Sequence, residues 1–166
     1  MLRYAVVEAP FSALLLLASQ AGLKRVVFLK GQHPEEWLAE HIADEAAPGL
    51  PEAVGEIVPR LQAYLGGVSE TFEGIPLDLS GATPFQHRVW DTLRKVPYGS
   101  VVTYAELAWR IGNPRAARAV GNAVGANRLP IVIPCHRVVA SRGIGGFGDA
   151  GVAIKRALLQ LEGVTL

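Results

Sequence analysis

The chain of 166 residues contains only one cysteine and one methionine. Cys135 has no second thiol in this chain, which excludes an intramolecular disulfide, a multi-cysteine metal site and a pair of attacking and resolving thiols. Any chemistry at Cys135 is therefore done by a single sulfur atom.

Long apolar runs are also missing. The longest leucine-rich run, residues 13–18, is far shorter than the about 20 residues that span a bilayer, which argues against a membrane protein. Arg3 before this run and small residues after it are reminiscent of a secretory leader. Glu8 and the further apolar segment at residues 23–29 instead favour buried core strands. Because half of the residues are apolar and only 19% are charged, we expect a sizeable core.

The small net charge of +1 conceals a difference between two halves of the chain. Residues 1–81 carry five basic and eleven acidic side chains, whereas residues 82–166 carry eleven basic and four acidic ones. The basic half indicates a face that attracts a polyanion, although ordinary variation in surface charge explains the difference equally well.

Short apolar runs separated by turn residues open the first half. They predict the strands of a small antiparallel sheet at residues 4–7, 13–18 and 23–29. Helical periods follow at residues 34–43 and 51–65, and Pro59 is expected to kink or restart the second of these helices.

The second half is predicted to be mostly helical. Thr83 and Thr103 are good residues to precede the first turn of a helix. A helix at residues 104–111, a three-residue break and a helix at residues 114–125 form the helix-turn-helix arrangement of DNA-binding proteins. Any small helical domain also contains helix hairpins, so this signal is weak by itself.

These patterns together predict an α+β fold with two domains. Residues 1–81 are expected to form a scaffold domain with a small antiparallel sheet. Residues 82–166 are expected to form a mostly helical domain with a helix-turn-helix.

The second helix of this motif has almost no side-chain bulk on its outer face. Ala116, Ala117 and Arg118 lie opposite Val120 and Val124 in a helical projection. Small residues let a backbone approach its partner closely, which favours a shape-dependent contact with DNA in which arginine is the probe. Tight packing against another helix is the alternative, and Arg118 argues against full burial there.

The most informative segment surrounds the cysteine. Pro134 forces an abrupt turn between apolar residues, so Cys135 and His136 lie between buried segments. A lone cysteine is usually a small buried side chain, but here a basic pair, His136 and Arg137, follows it and favours the thiolate. A Cys–His dyad in an extended chain needs a turn or a bridging water. His136 also needs an orienting acceptor, for which Glu162 near the end of the last helix is the natural candidate.

These segments resemble the O6-alkylguanine-DNA alkyltransferase family. The resemblance rests on three segments of the second half: Ile-Pro-Cys135-His136-Arg137-Val, Gly112-Asn-Pro-Arg-Ala-Ala-Arg118-Ala-Val-Gly121, and Leu158-Leu-Gln-Leu-Glu162-Gly163. It covers residues 83–163 densely and the first half loosely. It implies that the protein removes an alkyl group from O6-alkylguanine in double-stranded DNA after flipping the base, with O4-alkylthymine as a second candidate substrate.

The resemblance also implies roles for individual residues. Cys135 would accept the alkyl group, with His136 as a water-mediated base, Glu162 orienting it and Asn127 bracing the turn. Tyr104 would help rotate the nucleotide and donate to the base. The residues implied in minor-groove DNA binding are Arg118, Tyr104, Ala116, Ala117, Asn113 and Ser141. Those implied in the substrate pocket are Val138, Phe147, Gly148 and Asp149.

Two departures from the family pattern affect the pocket and the first half. Gly148 and Asp149 stand where an aromatic residue and a small or hydroxyl residue are usual, which leaves the accepted alkyl sizes open. Phe147 is a neighbour that could replace the aromatic wall. Some relatives bind zinc through cysteines in the first half, and because this half has none we predict no metal and no cofactor.

Two other functions compete with alkyl transfer. A helix-turn-helix regulator or lesion-recognition protein would use Cys135 only structurally. A cysteine hydrolase or acyltransferase would turn over, and it would leave the basic half and Arg118 unexplained. If the protein is an alkyltransferase, we expect it to act once per molecule, to be cytoplasmic and to be a monomer in solution.

Overall fold

The computed structural model describes residues 1–166, except for the side chain of residue 149. The chain divides into two compact units, Met1–Ser80 and Gly81–Leu166. No helix in the described part of the chain combines the length and apolar character needed to cross a membrane.

A four-stranded sheet forms the first unit's centre, in the order β3-β2-β1-β4. Its strands are β1 Leu2–Val7, β2 Leu14–Ser19, β3 Gly22–Phe28 and β4 Ala46–Pro48. The first three pair antiparallel, which confirms the predicted sheet. The short fourth strand, which runs parallel to β1, was not predicted. Residues 14–18 are fully buried, so both faces of β2 are covered, which explains a continuous leucine run in place of alternation.

Two helices complete this unit, α1 Pro34–His41 and α2 Ile57–Leu65. The single helix predicted from residue 51 is wrong at its start, because a separate 3-10 turn occupies Glu52–Val54. Pro59 lies in the first turn of α2, where its missing N–H group would have no helical partner anyway, so it need not kink the helix.

The second unit contains four helices among the residues described. They are α3 Pro84–Leu93, α4 Tyr104–Arg110, α5 Ala117–Gly125 and α6 Val152–Leu161. Thr83 and Gln86 form a reciprocal capping box at α3, and Thr103 caps α4 through the Glu106 N–H. The predicted start of α5 at residue 114 is wrong: Pro114–Ala116 form the turn before it, and Ala116 is the N-cap.

A two-residue parallel pair joins β5 Val102–Thr103 to β6 Val138–Val139. β5 leads directly into α4, and β6 directly follows a 3-10 turn at Cys135–Arg137. The pair therefore fixes the first residue of α4, Tyr104, beside the segment that carries the cysteine. The Trp90 indole N–H donates to the Ala123 carbonyl at 2.8 Å, which ties α3 to α5.

Candidate active site

The cysteine lies in a turn that is buried throughout. Every residue from 129 to 139 is buried, and only 8% of Cys135 is exposed. The Asn127 side chain braces this turn: its amide donates to the Ile133 carbonyl at 2.8 Å, and its oxygen accepts from the Leu129 N–H at 2.9 Å. The Cys135 N–H donates to the same Ile133 carbonyl at 2.7 Å. Hydrogen bonds made by the Asn127 side chain and the Cys135 N–H thus hold the turn in addition to packing.

Burial controls the ionisation of Cys135. It raises the pKa of the thiol to about 11, against the opposing influence of a hydrogen bond from Asn127 and the charge of Lys155. The thiol is therefore protonated at neutral pH. A reaction at this sulfur needs a base that removes the proton when the substrate arrives.

His136 is a candidate for that base. Its side chain has no exposed surface, and its Nε2–H donates to Glu162 Oε2 at 2.6 Å. Burial lowers the pKa of His136, while the hydrogen bond and charge of Glu162 oppose this effect. Neutral imidazole that donates from Nε2 carries its lone pair on Nδ1. The structure thus brings together His136 and Glu162, 26 residues apart, and a neutral imidazole that donates to this carboxylate accepts a proton at Nδ1.

Glu162 holds a second partner that was not among the predicted site residues. Arg137 donates from Nε to Oε1 at 2.8 Å and from Nη2 to Oε2 at 3.1 Å. The Gly99 N–H also donates to Oε1, at 3.1 Å. Arg137 stands next to His136 in sequence, but nothing in a single sequence says that such an arginine is buried.

Lys155 is the other residue that sequence reasoning missed. It is fully buried on α6, and its Nζ donates to the Val138 carbonyl at 2.6 Å and the Gly146 carbonyl at 2.9 Å. Burial lowers the pKa of Lys155 to about 8. A signal was available, because Lys155 lies four residues before Leu159 and seven before Glu162, on the inward face of the helix.

Tyr104, at the start of α4, faces α5 near the cysteine turn. A Cβ added to Gly121 of α5 would lie 3.8 Å from the Tyr104 ring, which is ordinary van der Waals contact, so the ring lies directly against this part of α5. Burial raises the pKa of Tyr104, and the negative charge of an ionised Cys135 adds to the rise. The Tyr104 hydroxyl therefore keeps its proton and remains a hydrogen-bond donor.

Known proteins match this chain closely. A family model described as the DNA binding domain of 6-O-methylguanine DNA methyltransferase matches residues 84–164. The methylated-DNA--protein-cysteine methyltransferase of Methanosarcina acetivorans is 39% identical over 165 residues, covering 96% of this chain and 97% of that protein. The chain belongs to the 6-O-methylguanine DNA methyltransferase family.

Solved structures agree with the assignment to this methyltransferase family. The crystal structure of Mycobacterium tuberculosis O6-methylguanine methyltransferase is 38% identical, with a TM-score of 0.79 over 98% of this chain and 93% of that chain. The M. tuberculosis relative in complex with DNA is 39% identical, with a TM-score of 0.80 over 97% and 93%. As a member of the family the chain is a DNA-binding, DNA-repair methyltransferase, and the predicted α+β fold is confirmed.

The residues implied in DNA binding by this methyltransferase lie mostly at the surface. Arg118 is exposed on α5. Ala116 and Ala117 are half-buried at the start of the same helix, while Asn113 in the preceding turn and Ser141 beyond β6 are exposed.

The implied pocket residues differ in burial. Val138 is fully buried, Phe147 is half-buried and Gly148 is exposed. The predicted contribution of the Asp149 side chain lies outside the described residues.

The burial of Lys155 predicts how the stability of this methyltransferase changes at alkaline pH. The pKa of about 8 lies below the ordinary 10.5, so the unfolded chain binds more protons between these values and the free energy of unfolding rises with pH there. Relative to Lys155→Met, the wild type should gain up to about 3 kcal/mol between pH 8 and pH 10.5. Urea unfolding of both proteins across this range measures the difference. The opposite alkaline effect of the Cys135 thiol is present in both proteins, and a constant difference would contradict the prediction.

Proposed function

We propose that this protein repairs DNA by moving the alkyl group of O6-alkylguanine irreversibly to Cys135. The observation that carries the proposal is the buried turn in which Cys135 is followed by His136, with His136 bonded to Glu162 at 2.6 Å. Residues 82–166 would form the DNA-binding and catalytic domain, and residues 1–81 its scaffold. O4-alkylthymine presents a similar alkyl–oxygen bond and is a second candidate substrate.

The transfer is an in-line displacement at the alkyl carbon. His136 takes the thiol proton, through a water, as the Cys135 sulfur forms its bond to carbon. The bond between that carbon and O6 breaks, and O6 keeps the electron pair. A hydrogen bond from the Tyr104 hydroxyl stabilises the negative charge that develops on the base, which leaves as neutral guanine after gaining one proton.

One molecule of protein performs one repair. The product is a thioether, from which water does not readily displace the sulfur, and the chain has no second thiol that could take the alkyl group from it. A monomer suffices because all the proposed reacting groups come from one chain, and no metal or cofactor enters the reaction. The need for a reduced thiol supports a cytoplasmic location.

The target base must leave the duplex. A stacked guanine cannot present its alkyl carbon in line with a side chain, so the nucleotide is flipped into the pocket. The small outer face of α5, with Ala116 and Ala117, suits close approach in the minor groove, and exposed Arg118 would occupy the vacated space in the base stack. Asn113 and Ser141 would contact the backbone beside it.

Intact-protein mass after incubation with a duplex containing one O6-methylguanine tests the proposal. We expect a gain of one CH2 group, stoichiometric with repaired base and mapped to the Cys135 peptide, and none with the unmodified duplex. An O4-methylthymine duplex tests the second substrate. Binding without a mass gain would indicate a lesion-recognition protein. Repeated removal of the alkyl group without a mass gain would indicate a hydrolase.

Arg118→Ala tests base flipping. We expect the transfer rate at saturating DNA to fall by about 10-fold or more, because an unfilled gap makes the flipped state costlier by ~1–2 kcal/mol. Arg118→Lys should recover binding more than rate, since it restores the charge without the guanidinium plane. Arg156→Ala, a change at an exposed arginine on α6, is the matched control. Equal losses in the Arg118→Ala and Arg156→Ala proteins would contradict the role of Arg118.

A further inference from the structure

A single carboxylate in the site is shared by two cationic or potentially cationic partners. His136 bonds to Oε2 of Glu162, and Arg137 bonds to both oxygens through the fork of its guanidinium group. Arg137 is only 5% exposed. Its Nη1 donates to the Val96 carbonyl at 2.8 Å, and its guanidinium carbon lies 5.9 Å from the Tyr98 ring centre. The guanidinium is therefore held against the carboxylate in one orientation.

This arrangement differs from an isolated pair of histidine and carboxylate. In an isolated pair the whole negative charge of the carboxylate stabilises the imidazolium, and the histidine becomes a stronger base that is occupied by a proton near neutral pH. Here the permanent charge of Arg137 already balances Glu162. A proton on His136 would leave a net positive charge in a site that is almost entirely buried.

The other groups around His136 act in the same direction or are neutral. α6 contributes the fully buried ammonium of Lys155, the residue just after its end contributes the Glu162 carboxylate already described, and the turn contributes Arg137 and the thiol of Cys135. His136 is thus surrounded by two cations and one carboxylate while the thiol is protonated. The imidazole of His136 gains little from becoming a third cation.

We propose that Arg137 is a positioning residue that balances the negative charge of the Glu162 carboxylate. It thereby keeps the imidazole of His136 neutral, so that His136 can accept the proton of the Cys135 thiol. This inference rests on the proposed function, in which His136 takes that proton. Arg137 touches neither substrate nor sulfur in the proposed reaction. It acts through Glu162, by fixing the carboxylate and by setting how much of its charge His136 experiences.

The pH dependence of transfer in Arg137→Met tests the proposal. Without the guanidinium, His136 should hold its proton to higher pH, so the acid limb of the single-turnover rate profile should move up by about one unit or more. The rate should fall near pH 7 and recover substantially at higher pH. A loss by the same factor at every pH would show a purely structural role and overturn the proposal.

Nuclear magnetic resonance of the imidazole nitrogens measures His136 directly, with His33, His41 and His87 as internal references. We expect His136 to titrate about one unit or more higher in Arg137→Met than in the wild type. An unchanged His136 would overturn the proposal. The double variant Arg137→Met/Glu162→Gln removes both buried charges, so it avoids an unpaired carboxylate and should return His136 to the wild-type value or below. A raised value in the double variant would also overturn it.

A transfer assay on His136→Ala tests the proposed function separately from this inference. If His136→Ala transfers alkyl groups at the wild-type rate, then His136 is not the base and the proposed function fails at that step. The titration of His136 in Arg137→Met still reports whether Arg137 holds the imidazole neutral.

Discussion

Replacing Cys135 by serine is expected to abolish alkyl transfer while leaving affinity for DNA within a few-fold of the wild type. The hydroxyl is a much weaker acid and nucleophile than the thiol, even beside His136, so the rate should fall by at least about 10⁴-fold. Serine is close in size to cysteine and can keep the hydrogen bond with Asn127, so the buried turn should survive. Single-turnover assays and gel-shift titrations with the same O6-methylguanine duplex measure both quantities.

Two outcomes would contradict this expectation. Transfer that persists in Cys135→Ser would remove the cysteine from the reaction and leave another acceptor to be found by peptide mapping. Loss of DNA binding together with transfer would indicate that the turn had collapsed. Cys135→Ala is a second test of the turn, because alanine cannot form the hydrogen bond with Asn127. We expect Cys135→Ala to lose alkyl transfer as fully as Cys135→Ser and to bind DNA as tightly as Cys135→Ser.

The sequence predicted local structure correctly where one or two residues determine it. Thr83 and Thr103 precede their helices as predicted, because a hydroxyl that accepts from a backbone N–H is a local interaction. Pro134 likewise produced the predicted abrupt turn at Cys135. The proposed partnership of His136 and Glu162 needed elimination among only four acidic residues in the second half, and the structure joins them at 2.6 Å.

Long-range pairing decided what the sequence did not reveal. β4 has only three residues, one of them a proline, and it exists because β1 offers an open edge. The pairing of β5 with β6 joins residues more than thirty positions apart through two residues on each side. Arg137 and Lys155 are charged and would ordinarily lie at the surface, and only the helical spacing of Lys155 signalled otherwise. Their burial depends on acceptors supplied by Glu162, Val96, Val138 and Gly146, which only the fold brings together.

Replacing Glu162 by glutamine is expected to cost the most stability of any change in the site. The variant keeps the size of the side chain but leaves Arg137 as a buried cation without its counter-charge. Removing one partner of a buried ion pair typically costs about 3–5 kcal/mol, much more than the pair contributes relative to an apolar substitute. The amide also provides a weaker acceptor for the His136 N–H, so transfer should fall as well. Urea unfolding at pH 7.5 measures the first effect.

Glu106→Gln is the matched control, because Glu106 is paired with Arg110 at 2.9 Å on the same unit but with both side chains more than a third exposed. An exposed pair at this helical spacing contributes only about 0.3–0.5 kcal/mol. The two substitutions are chemically identical, so the difference between them isolates the burial of the ion pair. Similar losses in both would mean that water reaches Arg137 and Glu162. The Glu162 carboxylate would then be screened from His136, and the neutral state of that imidazole would need another cause.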